Sequence, residues 1–150
     1  MTEPWGREQW REDFWRGVVP GYPVALTLPW PPSVNGCYRS VVKNGRAVSI
    51  LSKKARVYRG RALDAIIEQG SPCIPGKPRV CITERFYPPD RRGRDIDNYR
   101  KAYRDALTHG RVWNDDKLVK HEQAFWMPLD RDNPRIEIEI RTIEPDTGGK

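Results

Sequence analysis

Apolar and polar residues alternate along two stretches of the chain, residues 24–28 and 135–143. Such alternation is typical of a β-strand that buries one face and leaves the other in contact with water. A third stretch, residues 79–87, carries large apolar residues on one face, which Glu84 interrupts. The pattern predicts three strands, and Glu84 either lies near a strand end that opens to water or pairs with an arginine.

A β-hairpin is predicted between residues 38 and 51. Residues 38–42 and 46–51 flank Lys43-Asn44-Gly45, and an Asn-Gly pair supplies the positive φ angles of a tight hairpin turn. Residues 117–127 are apolar enough for one more strand.

Two stretches have the periodicity of amphipathic helices, residues 53–69 and 96–108. Their predicted buried faces are Ala55, Tyr58, Ala62, Ala65 and Ile66 in the first, and Tyr99, Ala102, Tyr103 and Ala106 in the second. The polar face of the first helix is basic. It is either a solvated charged face or a surface that contacts the DNA backbone.

Residues suited to helix ends flank both helices. Ser52 and Asp95 have side-chain oxygens that can accept a hydrogen bond from the first helical turn. Gly70 and Gly110 follow the helices and are predicted to end them.

These elements predict one domain with an α/β (α+β) fold, in which two main helices pack on a small mixed β-sheet. The chain has 150 residues, enough for a single core. Residues 1–23 are predicted to be a Trp-rich N-terminal extension, residues 24–143 the domain, and residues 144–150 a flexible tail. In the extension, Trp10 and Phe14 can share one helical face, either packed on the domain or contacting DNA or a second copy.

The net charge indicates which class of binding partner to expect. With 27 basic and 20 acidic residues the chain carries +7, so nucleic acid or an anionic membrane is the expected partner. No apolar run reaches the roughly 20 residues that span a bilayer, and the N-terminus lacks a signal-peptide pattern. We therefore expect a soluble intracellular protein without a membrane partner.

The cysteines and histidines indicate no special chemistry. Cys37, Cys73 and Cys81 are odd in number and lack CxxC spacing, and His109 and His121 have no cysteine neighbours. Neither a disulfide framework nor a zinc site is predicted.

The run from Asp90 to Lys101, DRRGRDIDNYRK, sets acidic residues within a basic stretch between a predicted strand and a predicted helix. Asp95 and Asp97 can hold a hard divalent cation, which prefers oxygen ligands, and Asp116 can approach from a neighbouring strand. The arginines of the run can neutralise phosphates. A site of this kind suits metal-assisted cleavage of a phosphodiester.

Ordinary folding roles explain the same carboxylates. Asp95 is a good helix cap, Asp97 is favourable near the positive end of a helix, and Asp115-Asp116 is a common turn sequence. The arginines then form either part of a catalytic site or a solvated loop that binds DNA without cutting it.

The motif resembles the RusA family of Holliday-junction resolvases. The resemblance lies in DRRGRDIDNYRK, in Val112-Trp-Asn-Asp-Asp116, and in Leu26-Thr-Leu-Pro-Trp-Pro-Pro-Ser-Val-Asn35, and it spans roughly residues 24–143. It implies a homodimeric RusA-like α/β fold and a magnesium-dependent enzyme that cuts four-way DNA junctions symmetrically. The expected setting is the cytoplasm of a bacterial host, with a phage or prophage gene as a possible source.

The resemblance also assigns roles. It implies that Asp95, Asp97 and Asp116 bind Mg²⁺, for which Mn²⁺ can substitute, and that Lys101 is the essential lysine. No small-molecule cofactor is expected. The predicted DNA-binding residues are Arg91, Arg92, Arg94, Asn98, Lys53 and Lys54. The alternatives are a non-catalytic branched-DNA-binding module and a nuclease for flaps or other branched DNA.

Overall fold

The computed structural model describes residues 23–143. In this range lie six strands: β1 (Val24–Pro29), β2 (Tyr38–Lys43), β3 (Arg46–Leu51), β4 (Arg79–Tyr87), β5 (Val119–Trp126) and β6 (Arg135–Ile143). The two α-helices are α1 (Lys53–Glu68) and α2 (Asp97–His109). The predicted elements are therefore all present. The predictions for the N-terminal extension and for the tail concern residues outside this range, apart from Pro23.

Four strands form one mixed sheet in the order β1-β6-β4-β5. β6 is antiparallel to both β1 and β4, whereas β4 and β5 run parallel. The mixed sheet with two helices confirms the predicted fold class. The parallel pair matters most for the site, because it makes β5 the immediate neighbour of the strand that leads into the basic run.

The predicted hairpin forms a separate two-stranded sheet of β2 and β3. Asn44 and Gly45 have φ angles of 50° and 75°, as the turn requires. The Tyr38 hydroxyl at its base donates a hydrogen bond to Asp105 of α2, 3.3 Å away. The hairpin thus contacts the helix that carries the candidate catalytic residues.

The core lies between the helices and the sheet. Its largest buried side chains include Tyr58 of α1, Tyr103 of α2, Phe86 and Trp113. The alternating face of β6 is buried as predicted, through Ile136, Ile138 and Ile140. Neither helix in residues 23–143 is long and apolar enough to cross a membrane.

Both ends of α1 follow the sequence prediction. The Ser52 side chain accepts a hydrogen bond from the Ala55 N–H at 3.1 Å, and Gly70 closes the helix with a φ of 95°. Gly110 follows the end of α2, but its φ of −78° is not left-handed. A Cβ there would lie 2.9 Å from Ile66 Cδ1, so the glycine is needed for close helix packing rather than for a left-handed conformation.

Candidate active site

Asp90 organises the loop between β4 and α2. Its carboxylate accepts hydrogen bonds from the Arg92 backbone N–H at 3.0 Å and from Arg94 Nη2 at 2.5 Å. The hydrogen bonds from Arg92 and Arg94 hold the pKa of Asp90 well below its usual range. The loop that carries the arginines is therefore held in shape by one of its own carboxylates.

The Arg94 side chain is turned into this loop. It is only 7% exposed, it donates to the carbonyl oxygens of Asp90 and Arg92 at 3.2 and 3.1 Å, and its guanidinium lies 5.7 Å from the centre of the Trp30 ring. By contrast, the Arg92 side chain is 81% exposed. Arg94 thus braces the loop from within, whereas Arg92 pairs with Asp90 at 3.2 Å and remains accessible to a ligand.

Asp95 and Asp97 stand at the start of α2. The Asp95 carboxylate accepts a hydrogen bond from the Asp97 N–H at 3.1 Å, and its carbonyl accepts one from the Asn98 N–H at 3.1 Å. The helix begins at Asp97, with Ile96 in the N-cap position. The prediction that Asp95 occupies the N-cap position is therefore wrong by one residue, although its side chain does satisfy a helical N–H.

Asp97 projects into solvent and is paired with an arginine. Its side chain is 76% exposed, and Oδ1 accepts a hydrogen bond from Arg100 Nη1 at 2.8 Å. The same guanidinium also reaches Glu84 and Glu122. The candidate metal ligand Asp97 is thus tied to the β4–β5 side of the helix.

Lys101 turns along α2 toward Asp105. Its Nζ lies 3.0 Å from Asp105 Oδ1, so it pairs one turn forward rather than one turn back to Asp97. This hydrogen bond and the nearby acidic groups, Asp116 among them, raise the pKa of Lys101 above its ordinary value. The lysine is therefore a cation at neutral pH, and its field reaches Asp116.

Asp115 and Asp116 form a crowded carboxylate pair before β5. The Lys117 backbone N–H, 2.9 Å from Asp115 Oδ1, lowers the pKa of Asp115. The hydrogen bond from Asp116 to Asp115, together with burial and the neighbouring negative charge, raises the pKa of Asp116. A divalent cation relieves this kind of crowding, so the donor set suits a hard metal ion.

In the described part of the chain, the three predicted metal ligands are not gathered into a metal-binding cage. Within residues 23–143, no group of three or more His, Cys, Asp or Glu side chains is arranged to hold a metal ion. Lys101 interacts with Asp116, whereas Asp97 is held by Arg100 and Asp95 by the helix start. The structure brings Asp116 beside the lysine and leaves the three predicted metal ligands with separate partners.

Sequence reasoning left the role of Glu84 open, and the structure assigns it to an ion-pair network behind α2. Glu84 is fully buried on the apolar face of β4. It accepts from Arg100 Nε at 3.1 Å and from Arg104 Nη2, and both arginines also contact Glu122 of β5. Two arginines one helical turn apart, opposite an acidic residue on an apolar strand face, were the sequence signal for it.

A groove with a basic lining runs beside the candidate site. It has a volume of about 820 Å³, and it is lined by Lys53, Lys54 and Arg61 of α1 on one side and by Arg92 and Arg94 on the other. We call it the basic groove. Arg91 instead lines a cavity of about 410 Å³ on the other side of the loop. Four of the six predicted DNA-binding residues thus meet at one surface feature.

Comparison with known proteins gives a consistent match over the region of the site. Residues 29–141 match the family described as Endodeoxyribonuclease RusA. Crossover junction endodeoxyribonuclease RusA of Shigella sonnei (strain Ss046) is 35% identical over 120 residues, which cover 77% of this chain and 92% of the relative. The protein of the same name from Escherichia coli (strain K12) has the same identity and coverage. Crossover junction endodeoxyribonuclease rusA of Enterobacteria phage 82 is 38% identical over 116 residues, covering 77% of this chain and 91% of the relative.

Proposed function

Because the chain belongs to the RusA family of endodeoxyribonucleases, we propose that it resolves Holliday junctions by paired, symmetric phosphodiester cleavage that requires Mg²⁺, with Mn²⁺ able to substitute. One observation carries the proposal. The segment that lines the groove with Arg92 and Arg94 leads directly into α2, which carries Asp97 and Lys101 and contributes Tyr99 to the same groove. Lys101 in turn interacts with Asp116. Phosphate binding and metal-assisted chemistry are thereby available side by side.

The proposed metal ligands are Asp95, Asp97 and Asp116. Their carboxylate oxygens are the donors that Mg²⁺ prefers, and the raised pKa of Asp116 reflects negative charge that a cation would neutralise. When bound, the ion would supply an activated water and charge stabilisation at the phosphorus. In this proposal Arg100 restrains the Asp97 carboxylate through the 2.8 Å hydrogen bond.

Lys101 acts as a cation rather than as a base. Its pKa is raised by the hydrogen bond to Asp105, so it holds its proton at neutral pH and cannot take one from water. A protonated ammonium can instead stabilise negative charge that develops on a phosphate oxygen, or donate a proton to the leaving oxygen. The hydrogen bond with Asp105 fixes its direction.

The DNA backbone is held by exposed cations. We propose that Arg91, Arg92, Lys53 and Lys54 contact phosphates without reading sequence. Asn98 is proposed to support the DNA contact from the first turn of α2. Arg94 serves the DNA indirectly, because its buried guanidinium keeps the loop in shape.

A homodimer suits this reaction. A four-way junction has two scissile strands related by an approximate twofold axis, and a twofold dimer presents two identical sites to them. Light scattering on the full chain at micromolar concentration should give the mass of a dimer, and a monomer mass would contradict this part of the proposal.

The place of action is proposed from the relatives and the charge. Similar proteins come from bacteria and from a phage, and DNA is the acidic partner that a charge of +7 favours. We propose that the protein acts on branched DNA in the bacterial cytoplasm and needs no small-molecule cofactor.

Cleavage of defined DNA substrates tests the function. Labelled four-way junction, flap and linear duplex are incubated with the full chain in Mg²⁺ or in chelator, and we expect paired, ligatable nicks in the junction only with Mg²⁺. Cleavage of flaps as efficient as that of junctions would replace the resolvase with a broader branched-DNA nuclease. Junction binding without any metal-dependent product would contradict the enzyme proposal.

A further inference from the structure

The basic groove combines cations with an aromatic floor. Trp30 and Tyr99 line it, with their ring centres 5.2 Å apart. The Arg94 guanidinium lies over the same indole. Bases stack on aromatic rings and on arginine planes, and such stacking does not depend on sequence. The two rings are inclined to each other by 44° and are both partly exposed, so each offers its own aromatic surface to a nucleobase.

The charges that line the groove have one sign. Of the described residues that line it, five are basic and none is acidic. Arg94 is buried against Asp90 and Trp30. Arg92 also pairs with Asp90, but its side chain is 81% exposed. The cations within reach of a ligand are therefore Lys53, Lys54, Arg61 and Arg92. The acidic cluster around Lys101 lies outside this lining. A polyanion is thus the matching occupant.

The walls of the groove are fixed before any ligand arrives. The Tyr58 hydroxyl of α1 donates to the Pro29 carbonyl at 2.9 Å, which ties the lysine-bearing helix to the segment that carries Trp30. On the opposite wall, Asp90 and Arg94 brace the loop. Ligand binding consequently requires little ordering of the backbone that forms the groove walls, so its entropy cost is small.

The aromatic floor selects the form of the DNA. In a continuous duplex the faces of the bases are covered by their neighbours, so an aromatic side chain can stack only where a base has lost a neighbour. The groove volume of about 820 Å³ also lies in the range of about 300–1,000 Å³ that is typical of small-ligand pockets. This is room for a nucleotide or two within the groove.

We propose that the basic groove holds an unstacked single-stranded segment, of the kind that opens at a branch point. The bases lie against Trp30 and Tyr99, and the phosphates contact Lys53, Lys54, Arg61 and Arg92. The inference rests on the proposed DNA substrate and deepens it, because the groove then supplies the preference for branched over linear DNA that four flexible cations alone do not provide.

Binding of short strands to the full chain tests the proposal without any cleavage step. The probe is a fluorescein-labelled oligothymidylate of about eight nucleotides, within the range of site sizes of single-strand binding grooves. Its affinity is measured by fluorescence anisotropy in chelator at several salt concentrations. An abasic strand and a duplex of the same length serve as comparison ligands.

We expect the oligothymidylate to bind more tightly than both comparison ligands. The double variant Lys53→Gln/Lys54→Gln should lower the slope of log K against log salt by about 1.4, since each phosphate contact to a single strand contributes about 0.7. The matched control is Lys77→Gln/Arg79→Gln, which removes two charges from a separate cavity of about 520 Å³. The control should leave the slope unchanged.

The stacking part is tested at Trp30. Trp30→Leu should weaken oligothymidylate binding by at least about fivefold and abasic-strand binding by much less, and Trp30→Phe should restore most of the loss. Circular dichroism and thermal unfolding verify that each variant is folded. Because the comparison is between two ligands on one variant, a general loss of stability does not imitate the result.

Three results would overturn the proposal: a duplex that competes as well as the single strand, an abasic strand that binds equally well, or a control double variant that loses as much affinity as the lysine pair. The proposed function fails separately. A protein that cuts junctions but shows any of these results keeps its function and loses the groove assignment. If the protein binds single strands as expected but cuts nothing, the groove assignment stands and the proposed nuclease function is wrong.

Discussion

Glu84 is fully buried, and replacing it should be costly in a predictable way. In Glu84→Leu, Arg100 and Arg104 lose the carboxylate that accepts hydrogen bonds from both. Water replaces it poorly, because the two arginine side chains are only 20% and 13% exposed. Removing one partner of a buried ion pair costs about 3–5 kcal/mol, because the charge left behind has no compensation. Glu122, which is 45% exposed, still accepts from both guanidinium groups. We therefore expect a loss near the lower end, about 3 kcal/mol.

A second variant distinguishes the cost of leaving the arginine charges unpaired from the cost of changing the side-chain packing. In Glu84→Leu/Arg100→Met/Arg104→Met the buried part of the network becomes apolar at similar volume, and Glu122, which is 45% exposed, remains in contact with water. Replacing a complete buried ion pair by well-packed apolar residues is often neutral or stabilising. We expect this triple variant to lie within about 1 kcal/mol of the original protein.

Urea unfolding followed by circular dichroism measures both variants. With a slope m of about 1–3 kcal/mol/M for small proteins, a loss of 3 kcal/mol moves the midpoint by about 1–3 M. The difference should persist in 1 M salt, because buried charges are screened far less than exposed ones. A loss below about 1 kcal/mol for Glu84→Leu, or an equal loss in the triple variant, would refute the reasoning.

Three other predictions concern separate features. Hydrogen bonds from the loop arginines lower the pKa of Asp90 in the folded protein. The ionised carboxylate therefore stabilises the fold above the pKa of the unfolded chain, about 3.9, and this stabilisation is lost as the pH falls below that value. Asp90→Asn should flatten the plot of stability against pH between about pH 4 and pH 2, and an unchanged slope would contradict this. Gly110→Ala should cost about 1–3 kcal/mol in thermal unfolding, since its Cβ would lie 2.9 Å from a methyl carbon of α1. Gly60→Ala has open space around it and should be neutral or stabilising; similar losses in both would contradict the packing argument. Burial raises the pKa of Cys81 to about 11, whereas Cys73 is exposed, so a maleimide should label Cys73 at least about tenfold faster, and labelling of Cys73→Ser at the original rate would contradict this.

The fold could be predicted because its signals are local. Alternation in residues 135–143 follows from the strand period of two, and Asn44-Gly45 has few conformations other than a tight turn. The family was recognised from the motif, and the match over residues 29–141 confirms it. The parallel pairing of β4 and β5 could not be predicted in the same way, because it depends on contacts between distant segments.

The partners of the site residues were less predictable. Lys101 is four residues from both Asp97 and Asp105, so helical spacing alone favours neither. The hydrogen bond from Tyr38 to Asp105 fixes that carboxylate beside the lysine, and Arg100 occupies Asp97. Arg94 likewise turns inward only because Asp90 and Trp30 receive it. In each case a residue that is distant in the sequence determines which of two possible partners the side chain contacts.

The central claim is that the carboxylates at the start of α2 support metal-dependent cutting of junctions. Asp97→Asn removes one proposed ligand at a site that is 76% exposed, so the fold should be preserved. A matched control is Asp64→Asn, which removes an exposed carboxylate from α1. Both variants and the original protein are compared for cleavage of a labelled four-way junction in Mg²⁺ and for junction binding in chelator. We expect Asp97→Asn to lose cleavage but to bind the junction as well as the original protein or better, because a charge that repels DNA is removed. Undiminished cleavage by Asp97→Asn would contradict the account and place the catalytic site elsewhere.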